Sequence, residues 1–168
     1  SLIKLVLFSI AGVVVMNLEE LDLNKIRGFG RNKYAIMIAF GIACLGIMGI
    51  PFFNGFVSKT LMHHGIVEVI EDAAHLGVNA TIMTIIEWTF LATGGITIAY
   101  MTKLFVCLFI EKNKDEELQK KYDEKKNYLS LTNKIVIVGS ALLMFILGVA
   151  PTYINTPLME SANGFFGV

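Results

Sequence analysis

Long apolar segments alternate with short polar ones along most of the 168 residues of this chain. The apolar segments cover about 1–16, 34–67, 82–110 and 135–150, and none carries the polar stripe of a helix in a soluble bundle. A helix needs about 20 mostly apolar residues to cross the roughly 30 Å hydrocarbon core of a bilayer. The pattern predicts an all-α membrane protein with about four transmembrane helices in a single membrane region, 1–168.

The second apolar segment is too long for one crossing and contains residues that interrupt helices. It spans 34–67, and Gly49, Pro51 and Gly55 lie near its middle. Proline removes a backbone donor and glycine permits unusual torsions, so the sequence predicts a helix that is broken within 49–56 at mid-membrane. Protein or water must satisfy the backbone groups that such a break frees. We therefore expect neighbouring helices, and not lipid, to cover it.

Basic residues in the polar loops predict the orientation of the chain. Loops 17–33 and 111–134 contain several lysines or arginines, whereas loop 68–81 and the tail after Pro151 contain none. Four crossings produce this alternation when basic loops stay in the cytoplasm, as the positive-inside rule describes. We expect the two basic loops to be cytoplasmic and the C-terminus to lie outside a bacterial plasma membrane.

Composition supports a membrane protein without a cofactor. Apolar residues make up 55% of the chain and charged residues 17%, against about 25% charged residues in soluble domains. The net charge is zero, so we expect no nucleic acid partner. The sequence has no glycine-rich dinucleotide loop and no metal-ligand spacing, and Cys44 and Cys107 both lie in apolar segments. We predict no metal, cofactor, redox centre or catalytic residue in this chain, and core packing for both cysteines.

Charges inside the apolar segments are the candidates for function, because each is costly within a bilayer. At 1.5 Å per residue, Lys59 lies about 14 Å from the outer face, just after the predicted break. By the same rise, Lys4 lies about 20 Å from the cytoplasmic end of its helix. Both depths fall near the midplane, and the ends of broken helices form ion sites in inverted-repeat transporters. The sequence predicts an ion pathway through these lysines.

Four further residues are weaker candidates for the same pathway. Glu87 lies about two turns from the outer loop, where interfacial placement is the alternative. Lys103 lies near the cytoplasmic end of its segment, where its stem can reach the headgroups. His63 shares a helix face with Lys59 and could relay a proton, whereas His63 and His64 both lie close enough to the outer surface for an interfacial role.

Four sequence motifs resemble those of one protein family. The run Gly49–Lys59, GIPFFNGFVSK, resembles the G-I-P-P-F-x-G-F-x-S-K signature of antiporter-like proton-translocating membrane subunits. These subunits occur in respiratory complex I, in membrane-bound hydrogenases and in multisubunit cation/proton antiporters. Leu2–Gly12, Ile26–Gly30 and Ala99–Phe105 are similar to three further motifs of the family. Phe52 stands where the signature has its second proline.

The resemblance implies a fold and a role for particular residues. It implies that the chain is the C-terminal portion of a larger inverted-repeat helical bundle, with the N-terminal part of the same subunit and other membrane subunits as partners. It implies that Lys4 is a mid-membrane proton carrier and that Lys59 is the terminal carrier towards the outer side.

The implied function is proton translocation that couples redox energy to ion pumping, as in an NADH-quinone oxidoreductase or a hydrogenase-type translocase. Any oxidoreductase chemistry would then belong to other subunits. Two alternatives stay open at this point: a component of a stand-alone multisubunit sodium/proton antiporter, and a structural membrane subunit.

Overall fold

The computed structural model describes residues 2–125 and 127–149, and this part of the chain consists of helices joined by loops, with no strand. The π-helical turn Val106–Ile110 continues the fifth helix without a break. The predicted all-helical class is confirmed. The helices are α1 (Leu2–Leu18), α2 (Leu23–Ile26), α3 (Tyr34–Met48), α4 (Asn54–His75), α5 (Thr81–Phe105), α6 (Glu116–Glu124) and α7 (Leu131–Val149).

Two of the described helices are long and apolar enough to cross a membrane. These are α5 with its π-helical turn, Thr81–Ile110, and α7. The apolar helices α1 and α3 are shorter, with 17 and 15 residues, and α4 is more polar in its second half. The described chain is thus consistent with a membrane protein.

Helix boundaries differ from the predicted ones in three places. The segment predicted over 34–67 forms α3 and α4, and α4 continues to His75 because residues after Val67 keep the helical hydrogen bonds. The loop predicted over 111–134 contains α6, whose first turn is capped by the Asp115 carboxylate accepting from the N–H groups of Glu117 and Leu118. Helix α7 begins at Leu131, four residues earlier than predicted. Residues 150–168, including the predicted outer C-terminus, lie outside the described part.

Helix α3 lies at the centre of the bundle and contacts α1, α4, α5 and α7. Small residues on it, such as Ala39 and Ala43, are fully buried and let the neighbouring helices approach closely. The predicted packing role of Cys44 and Cys107 is confirmed, since both are free and buried. The core is formed mainly by Val6, Ile10, Ile36, Phe40, Met101, Ile137, Ala141 and Met144.

The loop before α3 is anchored to the end of α5. The N–H groups of Gly28 and Gly30 donate to the carbonyl oxygens of Cys107 and Leu108, which lie in the π-helical turn. Gly28 has a positive φ of 76°, and a side chain on Gly30 would overlap the ring of Phe109. The carbonyl groups at the end of α5 thus find partners in the loop.

A lysine that the sequence analysis counted as a loop charge is buried in this anchor. Lys33 is only 4% exposed, and its Nζ donates to the carbonyl oxygens of Phe29 at 2.7 Å and Tyr122 at 2.9 Å. Burial lowers the pKa of the Lys33 amine below its usual range, and the Asp123 carboxylate partly offsets this effect. The side chain therefore joins α6 to the loop at 27–33.

Candidate functional site

Helices α3 and α4 are separated by a five-residue link, 49–53. Gly49 ends α3 in the left-handed conformation with φ of 78°. The N–H of Gly49 donates to Gly46 and that of Ile50 donates to Leu45, both at 3.1 Å, which are the two hydrogen bonds of a Schellman motif. Helix α4 then begins without a side-chain cap.

Phe52 gives this link a conformation that proline cannot adopt. Its φ is 74°, in the left-handed region that non-glycine residues rarely occupy. Proline fixes φ near −65°, so the second proline of the family signature would not fit this backbone. The replacement of that proline by Phe52 is therefore a change in the shape of the link as well as in its side chain.

Lys59 connects the two helices at the link. Its Nζ donates to the carbonyl oxygen of Met48 at 3.1 Å, at the end of α3. An added Cβ on Gly49 would lie 2.6 Å from Cδ of Lys59, so this glycine leaves room for the lysine stem. The end of a helix carries partial negative charge and unpaired carbonyl groups, and both favour a cation. The half-buried ammonium group is thus held at the C-terminal end of α3.

Gly55 lies directly against the backbone of α3. A Cβ at this position would overlap the carbonyl oxygen of Gly46 and would lie 3.4 Å from Cδ1 of Ile3. The start of α4 therefore packs directly on the backbone of α3, and the start of α1 lies at the same level. Lys4 follows Ile3, so the two predicted mid-membrane lysines belong to helix segments that meet at the link.

Lys4 itself is exposed within the described chain. Its side chain lies at the wall of a cleft of about 420 Å³, which is otherwise lined mainly by apolar side chains of α1, α3 and α5. Among the described residues, no carboxylate or hydrogen-bond acceptor contacts Lys4. The cleft leaves one side of this lysine open.

The structure brings His63 and Glu87 together across α4 and α5. The Nε2 atom of His63 lies 3.5 Å from Oε1 of Glu87, and their side chains are 38% and 26% exposed. The imidazole stacks on Phe90, with 6.2 Å between ring centroids and 27° between planes. Phe90 was not among the predicted site residues, although its position one turn after Glu87 places both on one helix face.

The two remaining candidates, His64 and Lys103, take part in none of the contacts described above. His64 and Lys103 are exposed, and in the described part of the chain neither forms an ion pair. The described residues also contain no group of three histidines, cysteines or carboxylates placed to hold a metal.

The expected cover of the link is present on one side only. Gly55 is buried, but Pro51 is exposed and Phe52 is 71% exposed. Within the described chain these two residues are uncovered, so the cover of the break by neighbouring helices of the larger bundle stays a prediction.

Comparisons with known proteins agree with the motifs. A model of the family described as NADH:quinone oxidoreductase/Mrp antiporter, TM, matches residues 1–84. The chain is 28% identical over 145 residues to NADH-ubiquinone oxidoreductase chain 5 of Geomys personatus, which covers 86% of this chain and 22% of that protein. It is 26% identical over 161 residues to Na(+)/H(+) antiporter subunit A1 of Staphylococcus saprophyticus, covering 96% and 19%.

A second Na(+)/H(+) antiporter subunit A1, from Staphylococcus haemolyticus, is 28% identical over 161 residues, covering 94% of this chain and 19% of that protein. No solved structure matches the chain. The chain spans about a fifth of the length of these relatives. With its motifs, its helices and a family model that covers 84 residues, the chain belongs to the NADH:quinone oxidoreductase/Mrp antiporter membrane family.

Proposed function

We propose that this chain translocates protons as part of an antiporter-like subunit and that Lys59 carries them. The observation that supports this most strongly is the position of the Lys59 amine on the Met48 carbonyl, at a link between two helices. The proposal places this link at mid-membrane, where an ionisable group is costly unless it has a function. Proton translocation by a Lys59→Ala subunit in the assembled complex tests it.

A lysine suits this step because its amine exists in two states that differ by one proton. The ammonium form donates to Met48 and is favoured by the negative end of α3. A nearby change in charge can then load or release the proton. We assign Lys4 as the partner carrier because α1 begins at the level of the link.

The exposure of Lys4 indicates what must lie next to it in the assembly. An amine that faces hydrocarbon is costly, and Lys4 is exposed within the described chain. We therefore propose that another membrane segment of the assembly, or the water that it encloses, lies over the cleft beside α1. Lys103 and His64 are left out of the proposed path because neither contacts a group in it.

A sodium/proton antiporter is the second candidate, since two of the relatives are named as Na(+)/H(+) antiporter subunits. The two functions predict different measurements in inverted membrane vesicles. A redox-driven pump acidifies the vesicles when its electron donor and acceptor are added. An antiporter instead dissipates a pre-formed proton gradient when sodium is added. If the subunit is purely structural, Lys59→Ala should leave the signal unchanged in both assays.

The proposed orientation places the loops at 17–33 and 111–134 in the cytoplasm. We expect a cysteine at Lys120 to be protected from an impermeant thiol reagent in intact cells and one at Asn79 to be labelled, because the positive-inside rule sets the two faces. Both positions are exposed. Labelling after permeabilisation is the control. Labelling of Lys120→Cys from outside intact cells would contradict the orientation.

A further inference from the structure

The His63–Glu87 contact lies one helical turn from the proposed carrier, towards the outer face. His63 follows Lys59 by four residues, so their Cβ atoms are about 5–6 Å apart on one face of α4. The two side chains of the pair are partly exposed, at 38% and 26%, which is intermediate between a core position and a free surface. In the proposed orientation, the pair therefore lies between the half-buried Lys59 and the outer solvent.

The imidazole is held in place by groups from a second helix. Phe90 stacks on its ring, and the Glu87 carboxylate faces Nε2 at 3.5 Å. The separation is longer than a good hydrogen bond, so the attraction depends on charge. Opposite charges are present only when His63 holds a proton. Protonation of His63 thus strengthens the contact between α4 and α5.

No other described charge competes for His63 from the helices that pack on α4. Helix α3 has no charged side chain, and the charged residue of α7 is Lys134, in its first turn. On α5 the other charge is Lys103, about 24 Å along the helix from Glu87 at 1.5 Å per residue. On α4 itself, Lys59 is one turn before His63, and the exposed titratable residues that follow it are His64, Glu68, Glu71, Asp72 and His75.

We infer that His63 and Glu87 form the exit relay for the Lys59 proton. This inference rests on the proposed function of Lys59. In the relay, the Lys59 ammonium passes a proton through water to the neutral His63 imidazole, which leaves a neutral amine and an imidazolium. The Glu87 carboxylate stabilises the imidazolium until the proton passes to water at the outer face. Histidine suits this position because it ordinarily exchanges protons near neutral pH.

The relay is tested in the full-length subunit within its native membrane complex. Proton translocation is measured in oriented vesicles while the pH at the outer face is varied between about 5 and 8, the range in which histidine side chains commonly serve as proton shuttles. We expect His63→Gln to lower the rate by roughly 100-fold and to flatten its dependence on that pH, because a positioned proton-transfer group is lost. Glu87→Gln should act in the same direction.

Matched variants separate the relay from loss of structure. His75→Gln and Glu71→Gln replace exposed residues of the same types on α4 and should leave the rate and the pH profile unchanged. The double variant of His63 and Glu87 should be no worse than the more severe single variant, because both act in one step. If His63→Gln assembles poorly, Glu87→Asp keeps the charge and should retain the pH profile at a lower rate.

The outcomes distinguish the relay from the function on which it rests. If Lys59→Ala stops translocation while His63→Gln and Glu87→Gln leave its rate and pH profile intact, the relay is wrong and Lys59 remains the carrier. An equal effect of His75→Gln would also overturn the relay. If Lys59→Ala has no effect, both the proposed function and the relay are wrong.

Discussion

Replacing Lys59 with alanine is expected to lower proton translocation by the assembled complex by on the order of 100-fold, because a positioned proton-transfer group is removed. The subunit should still insert, since the change removes a charge that is costly to bury. It also leaves the Met48 carbonyl without its 3.1 Å partner, at a cost of about 1–3 kcal/mol if no water replaces the amine. Translocation is measured per assembled complex so that this loss of stability does not enter the result.

Lys59→Arg is the matched control for that experiment. A guanidinium group keeps the positive charge and can donate to Met48, but it does not release its proton at accessible pH. We expect normal assembly and a loss of translocation as large as that of Lys59→Ala. Normal translocation in Lys59→Arg would show that the residue serves as a fixed charge. Normal translocation in Lys59→Ala would reduce it to a structural residue.

Gly55→Ala is expected to destabilise the link between α3 and α4 by about 1–3 kcal/mol or more, in the range of other overpacking substitutions. The added Cβ would overlap the carbonyl oxygen of Gly46, and a backbone atom cannot move aside as the end of a flexible side chain can. The measurement is the thermal stability of the purified complex, together with the amount of subunit in the membrane.

Gly65→Ala provides the comparison within the same helix. A Cβ at Gly65 meets no atom within 4 Å, so alanine there should be neutral or stabilise α4 by about 0.5–1 kcal/mol. A difference between the two variants then reports the close approach of the helices and not helix propensity. Equal stability of Gly55→Ala and Gly65→Ala would contradict the packing at the link.

Sequence reasoning located the interruption but not its contacts. Gly49 and Pro51 mark the place through their local backbone preferences, and the helices do separate at 49–53. The hydrogen bond from Lys59 to Met48 depends on how α3 and α4 pack against each other. Local backbone preferences do not determine this packing. The positive φ of Phe52 was not predicted either, because non-glycine residues rarely adopt this conformation.

Long-range pairing also explains what the sequence missed elsewhere. His63 and Glu87 were separate candidates, because their contact requires the register between α4 and α5. Lys33 was counted as an exposed loop charge, yet it is buried between Phe29, four residues before it, and Tyr122, from a distant part of the chain. The sign of a charge could be read from sequence, whereas its burial could not.

Because the loop before α3 is anchored, the two ends of the bundle differ in how strongly contacts oppose local opening. At one end, Gly28, Gly30 and Lys33 tie the loop to α5 and α6 through backbone carbonyl groups. At the other end, the described part of α4 buries no apolar side chain. Hydrogen exchange in the isolated chain should therefore begin in α4 and reach the anchored end last, because few buried contacts oppose local opening there. Thermal motion would then widen the bundle from the His63 side while the Lys33 side stays closed.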